Sequence, residues 1–139
     1  MPNGWKGKLE SIEGIGPAYA AELRKGGVES INSLLKKGAT KNGRVEMAAT
    51  TGLSEVRILE WVNRADLYRV KGIGGQYSDL LEQSGVDSVV ELAQRNPKNL
   101  LVTIAETNER CHLVHKVPTE QQVKSWIKHA KTLKRVVEY

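Results

Sequence analysis

The stretch at residues 12–28, IEGIGPAYAAELRKGGV, decides the fold because the chain repeats its pattern at residues 70–86, VKGIGGQYSDLLEQSGV. Both stretches place Gly-Ile-Gly ahead of a run with apolar residues at helical spacing, and both close with Gly-Val. A glycine pair ahead of a helix either cradles a phosphate or lets two helices turn tightly against each other. Which of these roles the glycines serve decides the function.

The repetition extends along the whole chain. With an offset of 58, residues 12–36 align with residues 70–94, and nine of the 25 positions are identical. With an offset of 65, residues 54–65 align with residues 119–130 and share a glutamate, a tryptophan and an alanine. The identities fall mainly on glycines and on apolar residues of the kind found in cores, so we infer a duplicated unit.

Each copy carries the signals of helices. Pro17 suits a first helical turn, and Gly26 with Gly27 is typical of a helix end. Thr119 and Gln122 have capping-box spacing ahead of the last helical run. No segment alternates in the manner of a strand, so the sequence predicts an all-α fold.

The two units, which we place at residues 8–67 and residues 68–137, are small for separate domains. A unit of about 60 residues buries only a limited fraction of its surface when it folds alone. We therefore expect the two helical repeats to bury their apolar faces against each other and to form one compact protein.

The charge of the chain is uneven. The net charge is +5, with +4 in residues 1–45, −3 in residues 46–110 and +4 in residues 111–139. Basic ends of this kind attract nucleic acid, although an ordinary solvated surface carries similar charge. No run of 18 apolar residues is present, and Cys111 has no partner for a disulfide. We therefore expect a cytoplasmic protein without membrane contact.

The glycine stretches resemble the helix-hairpin-helix motif, whose pattern is apolar-x-Gly-apolar-Gly-x-x-x-Ala-x-x-apolar. The first copy fills six positions of this pattern, with Ile12, Gly14, Ile15, Gly16, Ala20 and Leu23. The second copy fills five and has Ser78 in place of alanine, with Val70, Gly72, Ile73, Gly74 and Leu81. Nearly the whole chain also resembles an uncharacterised bacterial family of unknown function built from tandem helix-hairpin-helix units. The run Trp-Val-Asn-x-Ala-Asp-Leu at residues 61–67, which leads into the second Gly-Ile-Gly, carries that likeness.

The resemblance to the motif implies binding to the DNA backbone without base recognition, across the minor groove. In such a motif the amides that open the second helix point outward, with the positive end of the helix dipole behind them. The candidate phosphate donors are the backbone amides of Gly14, Gly16, Ala18, Gly72, Gly74 and Gln76. Similar hairpins also serve as structural corners, so a protein–protein adaptor or a self-associating scaffold is the alternative.

The two copies differ in the charges around their glycines. Members of the motif that bind DNA often carry Lys or Arg where this chain has Ala18 and Gln76. In the second copy, Asp79 and Glu82 lie on the helix that faces phosphate in the motif, and they repel it. The first copy is flanked by four cations, Lys6, Lys8, Arg24 and Lys25. We therefore expect the first hairpin to bind DNA and the second to be structural.

The last helical run carries a second basic feature. Four cations fall at helical spacing on one continuous stripe, Lys124, Lys128, Lys131 and Arg135. If the stripe meets DNA, each cation neutralises a phosphate, and binding is steeply salt-dependent. A solvated face that keeps the protein soluble is the alternative interpretation.

The extra residues of the second copy contain a cluster formed by Cys111, His112 and His115. A metal needs three or four converging ligands, and a catalytic thiol needs an oriented base. The cluster offers two usable side chains at helical spacing, and Walker A and dinucleotide-binding patterns are absent. We therefore predict a binding module that is not an enzyme and holds no cofactor or metal. A metal-dependent enzyme using Cys111 and His115 is the weakest hypothesis.

Overall fold

The structure is a computed structural model and describes residues 7–139. Over these residues the chain forms eight α-helices, one 3-10 turn and no strand, which confirms the predicted all-α fold. The 3-10 turn is Leu9–Ser11, and the helices are α1 (Pro17–Lys25), α2 (Ile31–Lys37), α3 (Lys41–Thr51), α4 (Glu55–Leu67), α5 (Gly75–Gln83), α6 (Val89–Ala93), α7 (Pro97–Cys111) and α8 (Glu120–Ala130). Among these helices, none combines the length and the apolar character that crossing a membrane requires.

Six of the eight described helices begin at a polar side chain that accepts a hydrogen bond from an amide of the first turn. These caps are Ser30, Thr40, Ser54, Ser88, Asn96 and Thr119. Thr119 and Gln122 form the predicted capping box. Caps of this kind stabilise a helix by about 1 kcal/mol each. Helices α1 and α5 differ, because they begin at Gly16 and Gly74 without a side-chain cap.

The apolar side chains form two separate buried clusters, one in each half of the chain. The first cluster surrounds Trp61, and the second surrounds Trp126. Helices α2 and α3 pack on α4 in the first half, and α6 and α7 pack on α8 in the second. Each half therefore closes an apolar cluster of its own, and the expected burial of the two units against each other is limited to the apolar residues that cross between the halves.

The halves exchange residues where they meet. Leu67 packs in the second cluster, although the predicted boundary places it in the first unit. Tyr68 and Val137, which that boundary assigns to the second unit, pack in the first cluster. The boundary between the halves is therefore crossed in both directions.

The residues that follow α8, numbers 131–139, return to the first half and are called the tail segment below. The Glu138 amide donates a hydrogen bond to the Ala39 carbonyl oxygen at 2.7 Å. The buried Arg44 guanidinium donates to the Glu138 carbonyl oxygen at 2.8 Å. These contacts fasten the end of the described chain to the loop between α2 and α3.

The two halves also meet at the start of α5. A Cβ atom added at Gly75 would lie 2.3 Å from the Ser11 carbonyl oxygen, and the Tyr68 hydroxyl donates to that same oxygen at 3.4 Å. Gly75 occupies the position that Pro17 fills in the first copy. The close approach of the two backbones explains why the second copy has glycine there.

We expect Gly75→Ala to destabilise the protein. Alanine for glycine near a helix start usually gains about 0.5–1 kcal/mol, but here the Cβ atom overlaps a backbone oxygen and costs about 1–3 kcal/mol. Urea unfolding of the variant and the parent measures the difference. Gly74→Ser is the matched control, because its added Cβ atom meets only the Tyr68 hydroxyl at 4.0 Å and serine is a favourable residue at the N-cap of α5. A Gly75→Ala protein as stable as the parent contradicts the prediction.

Candidate nucleic-acid interface

The starts of α1 and α5 are the positions that the sequence predicts for phosphate contact. Gly14, Gly16 and Ala18 are exposed in the first hairpin. In the second hairpin Gly72 and Gln76 are exposed, and Gly74 is half-buried. The first amides of a helix have no partner within that helix, and here no side chain caps them. Of the predicted amides, those of Ala18 and Gln76 thus lie in exposed first turns, those of Gly16 and Gly74 belong to the N-caps, and those of Gly14 and Gly72 lie in the turns before them.

The first glycine of each pair is a structural residue. Gly14 and Gly72 both have φ of +92°, a backbone conformation that residues other than glycine rarely adopt. A Cβ atom added at Gly14 would lie 3.3 Å from Trp61 Nε1, and one added at Gly72 would lie 3.0 Å from Trp126 Nε1. Both the turn and the indole therefore require glycine at these two positions.

The second glycine of each pair is not required in this way. Gly16 and Gly74 have extended backbone angles that any residue adopts, with φ of −87° and −104°. No atom lies within 4 Å of a Cβ atom added at Gly16, and only the Tyr68 hydroxyl, at 4.0 Å, approaches one added at Gly74. A Cβ atom would therefore fit at both helix starts.

The elements ahead of the two hairpins differ. In the described part of the first copy, only the 3-10 turn Leu9–Ser11 precedes Gly14. In the second copy, the long helix Glu55–Leu67 precedes Gly72. The second copy therefore has a full helix on each side of its hairpin.

The residues just before the glycines also carry opposite charge. The first hairpin has Glu13 and the second has Lys71 at the aligned position. Arg64 Nη1 donates to the Glu13 carbonyl oxygen at 3.0 Å, and the Lys71 amide donates to His129 Nδ1 at 3.0 Å. Burial lowers the pKa of the His129 imidazole, which favours the neutral ring that accepts this bond. At this position, therefore, the second hairpin carries a positive charge and the first a negative one.

Asp79 and Glu82 do not face a phosphate at the second hairpin, contrary to the expectation from the sequence. Both carboxylates turn to Arg64, whose side chain is 9% exposed, with oxygen–nitrogen distances of 3.1 Å and 3.3 Å. The Arg64–Glu82 contact is an ion pair without hydrogen-bond geometry. The sequence analysis counted these two carboxylates against phosphate binding at the second hairpin. In the structure they pair with Arg64 between α4 and α5.

The cations expected beside the first hairpin lie elsewhere. Arg24 and Lys25 are in the last turn of α1, roughly 12 Å along the helix from Gly16. Arg24 binds the Glu10 carboxylate through two hydrogen bonds of 2.8 Å and 3.0 Å, and this pairing lowers the pKa of the Glu10 carboxyl. Lys25 pairs with Glu22 at 3.5 Å. Lys6 lies outside the described residues.

A cleft at the far end of α1 brings two of the predicted cations together with two that the sequence interpretation missed. The cleft has a volume of about 570 Å³, and Lys8, Arg24, Lys36 and Lys37 contribute its positive charge. Lys37 Nζ donates to the Gly27 carbonyl oxygen. The sequence alone offered no signal for this grouping. Lys36 and Lys37 lie on α2 and Arg24 lies on α1, and helical spacing relates only residues of the same helix.

The basic stripe on the last helix is shorter than predicted. Lys124 and Lys128 are exposed on α8, which ends at Ala130, so Lys131 is its C-cap and Arg135 lies in the tail segment. Thr132 and Leu133 donate to carbonyls three residues earlier, at 2.9 Å and 3.1 Å, which tightens the last turn and ends the helix.

Two further cations near the hairpins were missed by the sequence interpretation. Lys71 is exposed directly before Gly72, and alignment with Glu13 marks it as a charge reversal. The Arg57 guanidinium lies 5.1 Å from the centre of the Tyr19 ring, which packs on Trp61. No motif pointed to Arg57, because its contact with Tyr19 joins two helices of the first half, α4 and α1, that are far apart in sequence.

The cluster at residues 111–115 forms a helix end. Cys111 closes α7 and is exposed, and His112 takes the left-handed conformation with φ of +51°. Gly52 has the same role at the end of α3, with φ of +75°. Within the described residues, no group of three or more His, Cys, Asp or Glu side chains is placed to hold a metal ion.

The described chain is thus an all-α protein whose two halves each present a glycine hairpin at an open helix start. It belongs to the family described as a domain of unknown function (DUF4332), which matches residues 13–133. This confirms the predicted likeness to an uncharacterised family. No curated protein and no solved structure matches the chain.

Glu82 gives the stability of the protein a specific pH dependence. Burial raises the pKa of the Glu82 carboxyl from 4.5 to about 7, while Arg64 opposes the shift. The folded protein therefore holds a proton at Glu82 that the unfolded chain has lost, and the free energy of unfolding falls as the pH rises from about 4.5 to about 7. We expect Glu82→Gln to remove this fall.

Urea unfolding of Glu82→Gln and the parent at several pH values checks the expectation. The stability difference should shift in favour of the variant across this window, since glutamine carries no charge to desolvate. Glu46→Gln, at an exposed position on α3, is the control. A difference between Glu82→Gln and the parent that stays constant with pH contradicts the assignment.

Proposed function

We propose that this protein is a helix-hairpin-helix module that binds the DNA backbone weakly and without sequence preference. The observation that carries the proposal is the open space in front of Gly16 and Gly74, where neither backbone angle nor packing requires glycine. A phosphate that approaches the amides of a helix start does require such space, because a side chain at this position would cover them.

Phosphate supplies the acceptors that these helix starts lack. Every other described helix has a polar side chain at its start, and α1 and α5 have a bare glycine. A phosphate oxygen takes the place of the missing cap, and the helix dipole adds a favourable potential. Contacts of this kind position a protein on DNA but do not read the bases. They account for binding without sequence preference.

Both hairpins take part in this proposal. Lys71 gives the second hairpin a cation directly beside Gly72. The Arg64 guanidinium balances the negative charge of the Asp79 and Glu82 carboxylates, so these two repel a phosphate less. Arg57, on the Tyr19 ring, serves the first hairpin. Lys124 and Lys128 on α8 add long-range attraction.

A carboxylate placed at each helix start tests the proposal. The double variant Gly16→Asp with Gly74→Asp caps α1 and α5, so we expect its stability to stay the same or to rise by a few tenths of a kcal/mol. The same carboxylates occupy the phosphate positions, so the Kd for a short DNA duplex should rise at least about tenfold. Fluorescence anisotropy at low and moderate salt measures both the affinity and its salt dependence.

The matched control carries the same charge change away from the helix starts. Ala21→Glu with Gln83→Glu places the carboxylates at exposed positions further along α1 and at the end of α5. The control should bind DNA within about threefold of the parent, since only long-range charge changes. Equal losses in the two double variants contradict the proposal.

The adaptor alternative makes a different prediction for the same samples. It expects no DNA complex at low salt, and a stable self-associated species in light scattering of the protein alone. That pair of results removes the DNA proposal and leaves the hairpins as structural corners.

A further inference from the structure

The two halves contain clefts at equivalent places, and these clefts have opposite charge. The first has a volume of about 570 Å³ and the second about 520 Å³. Six lining positions correspond at the offset of 58, as Lys8/Asp66, Glu29/Asp87, Ser30/Ser88, Asn32/Val90, Ser33/Glu91 and Lys36/Gln94. The two clefts are therefore one feature of the duplicated unit that has diverged in chemistry.

The second cleft is acidic and is walled by the chain itself. Asp66, Asp87 and Glu91 line it, and the tail segment forms one side through Arg135, Val137 and Tyr139. The Tyr139 hydroxyl donates to Asn63 Oδ1 at 2.8 Å. The tail segment, which brings a cation and an apolar side chain, thus completes the acidic cleft.

The described residues that line the first cleft all have numbers between 7 and 37. Four cations from three separate elements face it: Lys8 ahead of the 3-10 turn, Arg24 on α1, and Lys36 with Lys37 on α2. Glu29 is the one carboxylate among the described lining residues, and Glu10, which is not one of them, balances the charge of Arg24, so the net positive charge comes mainly from the three lysines. Positive charge gathered from several elements around a concave surface raises the local potential and attracts anions.

We propose that this first cleft is a binding site for phosphate groups, carried either by a free polyphosphate compound or by a nucleic-acid backbone. Its remaining lining side chains are the hydroxyls and amide of Ser30, Ser33 and Asn32, which donate hydrogen bonds to phosphate oxygens. Its described lining includes no large apolar side chain to hold a peptide, whereas the second cleft has Val90, Val137 and Tyr139. This contrast favours phosphate over an acidic peptide.

The cleft is already partly organised for such a ligand. The Glu10 carboxylate fixes the Arg24 guanidinium through two hydrogen bonds, and the Gly27 carbonyl oxygen fixes the Lys37 ammonium. The Ile31 amide donates to the Gly7 carbonyl oxygen at 3.1 Å, which holds the segment before the 3-10 turn against α2. Fixed donors lose little freedom on binding, which strengthens the interaction.

This site is separate from the hairpins and does not depend on the function proposed above. Arg24 lies in the last turn of α1 and Gly16 precedes its first turn, roughly 12 Å away. A variant of one site therefore leaves the other intact, and the two proposals can fail independently.

Titration of the full chain with inorganic triphosphate at low salt, followed by calorimetry and by amide chemical shifts, tests the inference. We expect shifts at residues 27–37, and an affinity at least about tenfold lower in the double variant Lys8→Glu with Lys36→Glu. The neutral pair Lys8→Gln with Lys36→Gln should give an intermediate loss. Lys98→Glu with Lys116→Glu, two exposed lysines of the second half, is the matched control.

Each outcome decides the question. Triphosphate binding that Gly16→Asp with Gly74→Asp leaves unchanged, and that the Lys8 and Lys36 variants lose, supports the cleft even if the hairpins bind no DNA. Displacement of triphosphate by a short duplex then identifies a nucleic-acid backbone as the source, and the absence of displacement identifies a free polyphosphate. No binding at low salt, equal loss in the control pair, or binding of polyglutamate in place of triphosphate overturns the inference.

Discussion

The contact between a tryptophan indole and the first glycine of each pair is the constraint on which both halves depend. Trp61 Nε1 would lie 3.3 Å from a Cβ atom at Gly14, and Trp126 Nε1 would lie 3.0 Å from one at Gly72. Because each indole also packs on a tyrosine ring and forms the centre of an apolar cluster, the hairpin cannot move without opening that cluster. The positive φ and the indole together reserve this position for glycine. The second glycine has neither the positive φ nor the close indole, so packing does not fix which residue begins α1 or α5.

Apolar residues that cross between the halves and polar contacts together set how the halves sit against each other. Leu67, Tyr68 and Val137 pack in the cluster of the other half, and the joint also uses the backbone approach at Gly75, the carboxylates around Arg64 and the return of the tail segment. Buried ion pairs add little net stability, because the cost of removing charges from water offsets their attraction. They do penalise any other arrangement, since a shifted half would leave the Arg64 charge buried without a partner. The joint therefore specifies geometry more than it adds stability.

The two copies share the residues of the scaffold and differ in their charges. The glycines, the tyrosine and the tryptophan recur in both halves, while Lys8 corresponds to Asp66 and Glu13 to Lys71. Scaffold positions are held by packing, which tolerates few replacements, whereas exposed positions accept either sign of charge. The two copies can therefore share one architecture and differ in what they attract. The described residues that line the basic cleft include no counterpart of the tail segment, which forms one side of the acidic cleft.

The sequence by itself determined the helical class, the capping box at Thr119 and the glycine turns, because each of these depends on residues a few positions apart. Only the tertiary structure decided that Asp79 and Glu82 turn inward to Arg64, that Arg135 leaves the helical stripe, and that Lys8 meets Lys36 in one cleft. Those outcomes depend on contacts between distant parts of the chain, such as the bond from Arg44 to the Glu138 carbonyl across 94 residues. Periodicity shows which side of a helix is polar, but the charge that side faces is set by whichever element packs beside it.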